Sequence, residues 1–281
     1  MKTLATVLAA CLLAAAALAA DKEPVNAGPY VPSPSSVVAD MLTLAEVGPK
    51  DFVIDLGSGD GRIVLTAAKV FGARGFGVDI NEKLVKEANE AAKVQGIADR
   101  AKFTIQDLFK TDIRQATVVT MYLLPNTVNM LKDKLLNELR PGTRIISHDY
   151  GLSDWWAEKT INMDLEDKVA ISGVTTTIIF LYKVPAKVAG NWVAKVPTTI
   201  SKDPITFKLS TQLVTRVKGA TRIGGKDVPI NEGAIHGELL KFRMFAGGKE
   251  YEFSGMVKAG SIEGTVEGAG VKAPWTAALA K

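Results

Sequence analysis

Three carboxylates, three closely spaced glycines and two tyrosines carry most of the chemistry legible in this chain. The stretch Asp51-Phe-Val-Ile-Asp55-Leu-Gly57-Ser58-Gly59-Asp-Gly61-Arg62 sets glycines at alternate positions directly after an acid. Glycines so spaced permit positive φ and leave room for a ligand lying over a helix N-terminus. Dinucleotide sites carry G-x-G-x-x-G, whereas this chain has G-x-G-x-G. A second acid, Asp79, stands with Ile80 at the end of Gly75-Phe-Gly-Val-Asp79-Ile80, 22 positions after Gly57. An acid about 20 residues beyond the first glycine is where a nucleoside ribose finds its hydroxyl acceptor, and the helix-capping role is open to Asn81 instead. A third, Asp107, ends Lys102-Phe-Thr-Ile-Gln-Asp107-Leu108. There it could accept from an adenine amino group while Leu108 covers the ring face.

The elements that must position these groups follow from patterning. Each acid closes a short β-rich run and is followed by an amphipathic one, so strands alternate with helices and the sheet is mostly parallel, with right-handed crossovers. Strands are expected at residues 52–56, 75–79, 102–106, 116–123 and 143–148. Helices are expected after Ser33-Pro34, with the proline at the first helical position, and over residues 62–71, 82–95 and 126–139. Such a sheet brings Asp55, Asp79 and Asp107 to one edge, the carboxyl ends of the strands, where ligands bind. The runs 168–172 and 175–183, rich in β-branched residues on either side of Gly173-Val174, predict an antiparallel hairpin closing the sheet.

Beyond a linker at residues 185–191 the rhythm changes to short strands separated by Gly-Gly, Gly-Lys, Ala-Gly and Asp-Pro turns. Strands are expected at residues 192–196, 205–212, 213–223, 234–245, 251–257, 262–266 and 275–280. Seven or eight strands without a helix predict a small antiparallel barrel or sandwich. Three segments are therefore expected: a leader at residues 1–20, an α/β module at 21–185 and a β module at 186–281.

The leader has a basic start at Lys2, an uncharged run over residues 4–20 and Ala-Leu-Ala-Ala before Asp21. This reads as a secretory signal cleaved near Ala19 or Ala20, giving a periplasmic or secreted protein. The alternatives are a membrane anchor formed by the same run and a lipoprotein leader ending at Cys11. Cys11 is the one cysteine of the chain and His148 and His236 the two histidines, so no cysteine or histidine-rich metal site is expected. Residues 21–185 hold 19 basic and 22 acidic side chains, a net of −3, and residues 186–281 hold 14 and 8, a net of +6. The basic side chains are scattered through strands and turns. They read first as a solvated basic surface, with an anionic membrane surface or an acidic polymer as the alternative partner, and no basic-aromatic motif points to nucleic acid.

The glycine motif, with Pro29-Tyr30-Val31-Pro32-Ser33-Pro34, Asp55 to Val64, Tyr122-Leu-Leu-Pro125, Leu131-Lys-Asp-Lys-Leu135, Arg140-Pro-Gly-Thr-Arg-Ile-Ile-Ser147 and Trp155-Trp156, resembles class I methyltransferases. Within them it is similar to the family that includes the lysine methyltransferases of the mitochondrial adenine nucleotide translocase and of the ATP synthase c-ring protein, with their bacterial relatives. The resemblance covers the first module and not the second. It implies a Rossmann-like methyltransferase sheet, S-adenosylmethionine as cofactor and a protein lysine as methyl acceptor. Asp55, Gly57, Gly59, Asp79 and Asp107 would hold the cofactor, with Ser58, Gly61, Ile80 and Leu108 beside them. Residues 122–125, including Tyr122 and Pro125, would line an acceptor channel that residues 30–32, Tyr30 to Pro32, cover. Two other readings stay open: a methyltransferase of a small molecule or lipid, and an exported binding protein that holds a nucleoside without chemistry.

Overall fold

A computed structural model describes residues 28–280 of the 281-residue chain. The leader read at residues 1–20 lies outside them.

The α/β module opens with α1 (Ser35–Leu44) and β1 (Phe52–Leu56), then α2 (Arg62–Lys69), β2 (Arg74–Asp79), α3 (Glu82–Val94), β3 (Ala101–Ile105) and β4 (Val118–Met121). Helices α4 (Pro125–Met130) and α5 (Lys132–Glu138) lead to β5 (Arg144–His148), β6 (Lys159–Asp164), α6 (Glu166–Ser172) and β7 (Thr176–Lys183). The sheet order is β3-β2-β1-β4-β5-β7-β6. The first five strands are mutually parallel, and β7 runs antiparallel to both β5 and β6. Val53, Val118 and Ile146 point to one face, where α1 packs through Val37, Met41 and Leu42. Ile54, Val119 and Ile145 point to the other, against Val128, Leu131 and Leu135.

The structure corrects four local expectations. The first strand of the closing hairpin is β6, not residues 168–172, which form α6. Gly173 ends that helix in the left-handed region, φ 77°, where a residue without Cβ is strain-free. Pro34 precedes α1 as its cap instead of opening it, because Ser33 turns its hydroxyl to His148. The helix expected over residues 126–139 divides at Leu131 into α4 and α5, and Pro125 occupies the first turn of α4. Strand 234–245 is two strands with a turn at Gly237.

The second module comprises β8 (Gly190–Lys195), β9 (Ile205–Gln212), β10 (Arg216–Ile223), β11 (Lys226–His236), β12 (Leu239–Ala246), β13 (Lys249–Lys258), β14 (Ser261–Gly268) and β15 (Val271–Leu279). Each strand pairs antiparallel with the next, and β15 returns to β8, so the sheet closes into an eight-stranded barrel. Closure leaves no edge strand unpaired. Phe207, Phe242, Phe253 and Trp275 fill the interior with ring centroids 4.8 to 6.4 Å apart. Charged side chains such as Lys208, Glu252 and Glu263 alternate with them on the outside. That is the reverse of a lipid-facing barrel, whose outer band is apolar.

The barrel docks on the sheet at the amino-terminal ends of its parallel strands. The Ala186 N–H donates to the Gly237 carbonyl at 2.8 Å, His236 Nδ1 lies 3.1 Å from Glu158, and the Arg216 guanidinium stands 5.5 Å from the Trp156 ring centre. Lys183, beside this junction, pairs with Arg144, the first residue of β5, whereas His148, its last, faces the other way along the sheet.

Candidate active site

At the carboxyl ends of β1, β2 and β4, a cavity of about 520 Å³ opens, a volume within the usual range for small-molecule sites. Residues of the barrel do not line it. The glycine turn is tied down before any ligand arrives. The Gly57 and Ser58 N–H groups both donate to the Val78 carbonyl, at 3.0 and 2.9 Å. The Gly59 N–H donates to Asp79 Oδ2 at 2.8 Å and the Asn81 N–H to Asp79 Oδ1 at 2.9 Å. Asp79 thus couples the turn to the end of β2 and keeps further lone pairs for a ligand.

The turn also has little room for side chains. A Cβ at Gly57 would come 2.7 Å from Leu123, and one at Gly59 would collide with the Tyr30 ring, both positions having positive φ. Gly61 shares the positive φ, at 80°, but serves packing, since a Cβ there would sit 2.6 Å from Phe103 and 2.8 Å from Ala88, where α2 meets β3 and α3.

Asp55 is almost completely buried and its Oδ1 accepts from the Thr120 hydroxyl at 2.6 Å. Burial pushes its carboxyl up to about 7, because the charged form loses water. On the opposite side, the segment over residues 29–33 straps the turn. Arg62 Nη1 donates to the Ser33 carbonyl at 2.7 Å, and the same guanidinium grips Asp60 at 2.6 Å. Burial, then the Asp60 carboxylate, raise the Tyr30 phenol.

Of the residues expected at the site, Tyr30, Asp55, Gly57, Ser58, Asp79, Ile80, Leu108 and Tyr122 line the cavity. Gly59 lies under Tyr30, Gly61 in the packing seam, and Pro125 in the first turn of α4, outside the lining. Asp107 is also outside it. Its Oδ1 accepts the Phe109 N–H at 2.8 Å in a local turn, and Gln106 faces the cavity in its place. Sequence reasoning missed Arg62, Gln106 and Tyr150 on the wall, and Asp149 and Lys168 behind it. Arg62 was within reach, as a cation two residues after Asp60 in the motif itself. Asp149 and Lys168 gave no signal, since Asp149 meets Tyr122, and Lys168 meets Asp149, only once β4, β5 and β7 have paired.

A family model, the ANTKMT methyltransferase domain, matches residues 55–159. A protein-lysine N-methyltransferase of Saccharolobus islandicus is 45% identical over 137 residues, covering 48% of this chain and 85% of that protein. The chain belongs to this methyltransferase family. The adenine nucleotide translocase lysine N-methyltransferase of Mus musculus is 33% identical over 156 residues, 56% of this chain, and the chain spans 63% of that protein's length. Among solved structures, an RNA methyltransferase from Salinibacter ruber in complex with S-adenosyl-L-homocysteine is 44% identical with TM-score 0.51, covering 56% of this chain and 96% of that one. The methyltransferase fold, and S-adenosylmethionine as cofactor, follow from these relatives.

The residues present fit that cofactor. Two acidic side chains, Asp55 and Asp79, share the cavity with the apolar faces of Ile80 and Leu108 and the amide of Gln106. This set suits a ligand that joins a sulfonium and an ammonium to ribose hydroxyls and a flat base. Among the described residues no cluster of three or more histidine, cysteine or acidic side chains is arranged to hold a metal.

Proposed function

We propose that the protein transfers the methyl group of S-adenosylmethionine to the ε-amine of a protein lysine. The observation that carries this reading is the 45% identity over 137 residues to a protein-lysine N-methyltransferase, of which this chain covers 85%. The lining beyond β4 supports it: Tyr122, Leu123, Leu124 and Tyr150 make an apolar, aromatic surface with phenol oxygens. The bound cofactor supplies the electrophilic methyl, and the side chains of this chain align the acceptor and exclude water. An ε-amine attacks only when neutral. With a pKa of about 10.4, roughly one lysine in a few thousand is neutral at pH 7, a penalty of about 4 to 5 kcal/mol. Desolvation against Leu123, Leu124 and the two tyrosine rings lowers that penalty.

The Salinibacter relative is named for RNA, so RNA is the competing acceptor. Incubating the protein with methyl-labelled S-adenosylmethionine and a cell extract, then separating protein from RNA and mapping modified residues by mass spectrometry, decides between them. The reading expects label on lysine side chains, and label confined to RNA would refute it.

Export through a cleaved leader belongs to the same proposal and rests on the sequence of residues 1–20. Intact mass of the native protein tests it. A mass including residues 1–20 would favour the anchor, and a lipid adduct on Cys11 the lipoprotein.

A further inference from the structure

The acceptor-side wall rests on a polar network one layer behind the cavity. Tyr122 lines the cavity and donates its hydroxyl to Asp149 Oδ2 at 2.9 Å, while Asp149 itself stays outside the lining. The Asp149 carboxylate also accepts from Lys168 Nζ, at 2.6 and 2.8 Å, and from the Ile178 N–H at 3.1 Å. Lys168 is buried and reaches the Thr176 carbonyl as well. Buried His148 packs against the Tyr122 ring in a tilted contact, with ring centres 3.9 Å apart, and His148 Nδ1 lies 2.8 Å from the Ser33 hydroxyl.

A phenol has one proton to give, and an ionised carboxylate can only accept. Burial by itself would raise the Asp149 carboxyl, but the Lys168 ammonium leads the contacts that hold it below its ordinary value. The Tyr122 proton is therefore committed to Asp149, and the phenol oxygen has only lone pairs left for the cavity.

We propose that Asp149, held by Lys168, is a positioning residue that fixes Tyr122 as a hydrogen-bond acceptor toward the cavity, so that the site favours a methyl acceptor presenting N–H donors. An amine meets that wall with donors, whereas a phosphate or carbonyl oxygen would face lone pairs with lone pairs. The inference deepens the lysine reading and rests on it.

The test needs no macromolecular substrate. Sinefungin carries an amine-bearing carbon where S-adenosylmethionine carries its methylated sulfur, and S-adenosylhomocysteine carries neither the amine nor the methyl. Calorimetric titration of both into the wild-type, Tyr122→Phe and Asp149→Asn proteins gives their affinity ratio. Asn tolerates the positive φ of 61° at position 149 better than most residues, and Tyr122→Phe covers the case in which the Asn variant does not fold. Wild type should prefer sinefungin. That preference should fall about tenfold in both variants, while S-adenosylhomocysteine affinity stays within about twofold. A wild-type protein without the preference, or variants that keep it, would overturn the proposal. Methyl transfer to protein lysines by wild type is scored separately. If transfer fails while the ratios behave as stated, the lysine reading falls and the polarity of the wall stands.

Discussion

Asp55 and Asp79 end neighbouring strands and face one cavity, yet they are held in opposite ways. Asp79 has both oxygens on backbone N–H groups, and Asp55 is buried with one hydroxyl, Thr120, on its Oδ1. A carboxyl raised from 3.8 to about 7 by burial is protonated in the folded protein and ionised in the unfolded chain between those values. The unfolded chain then binds fewer protons, so stability falls as pH rises through that window. His148, lowered by burial from 6.5 to about 4, works in the opposite sense: its contribution is lost as pH falls from 6.5 toward 4. The Asp55→Asn variant isolates the first effect. Urea unfolding of the cofactor-free proteins should show wild type losing stability relative to Asp55→Asn, by up to roughly 1.4 kcal/mol per pH unit between about pH 4 and 7. A constant difference across that range would mean Asp55 is ionised in the fold.

At the scale of elements, the second and third glycines of the motif divide the labour between ligand and fold. Gly59→Ala forces a side chain at φ 56° into the Tyr30 ring, so the strap over residues 29–33 must move and cofactor affinity should drop with modest loss of stability. Gly61→Ala drives a methyl into Phe103 and Ala88, and overpacking a helix-sheet seam costs about 1 to 3 kcal/mol. Thermal unfolding together with S-adenosylmethionine titration separates the two, and equal effects on both readouts would refute the division. The motif was legible because acid, glycines and helix are contiguous, so local rules suffice. Residues 168–172 were misread because Val169 and Ile171 suit a strand by composition, while the left-handed Gly173 and the burial of Lys168 against Asp149 settle a helix. The first part of β11 was hidden by Pro229 and Gly233. Gly233 lies at an irregularity in the pairing with β10 and abuts the Val217 carbonyl, a place where glycine is required and not a sign of a turn.

For the whole molecule, the barrel and the cavity lie at opposite ends of the sheet. β5 spans five residues from the junction side at Arg144 to His148, about 13 Å at the usual rise. The barrel has its own aromatic core and closed hydrogen bonding. A chain ending at Pro185 should therefore fold and keep its S-adenosylmethionine affinity within about threefold, an effect under 1 kcal/mol. A folded truncation that no longer binds the cofactor would give the barrel a part in the site. The separation of modules was readable from the turn spacing and the change of net charge near residue 185. The docking end was not, because it depends on Gly237, His236 and Arg216 meeting residues far away in sequence. The most direct measurement is calorimetric titration of S-adenosylmethionine into the cofactor-free chain and its Asp79→Ala variant, with NAD as control. One site per chain is expected in wild type, weakened by about 1.5 to 3 kcal/mol without the Asp79 carboxylate, and no heat from NAD. Binding of NAD in place of S-adenosylmethionine, or equal affinity in a folded Asp79→Ala protein, would contradict the assignment of this cavity.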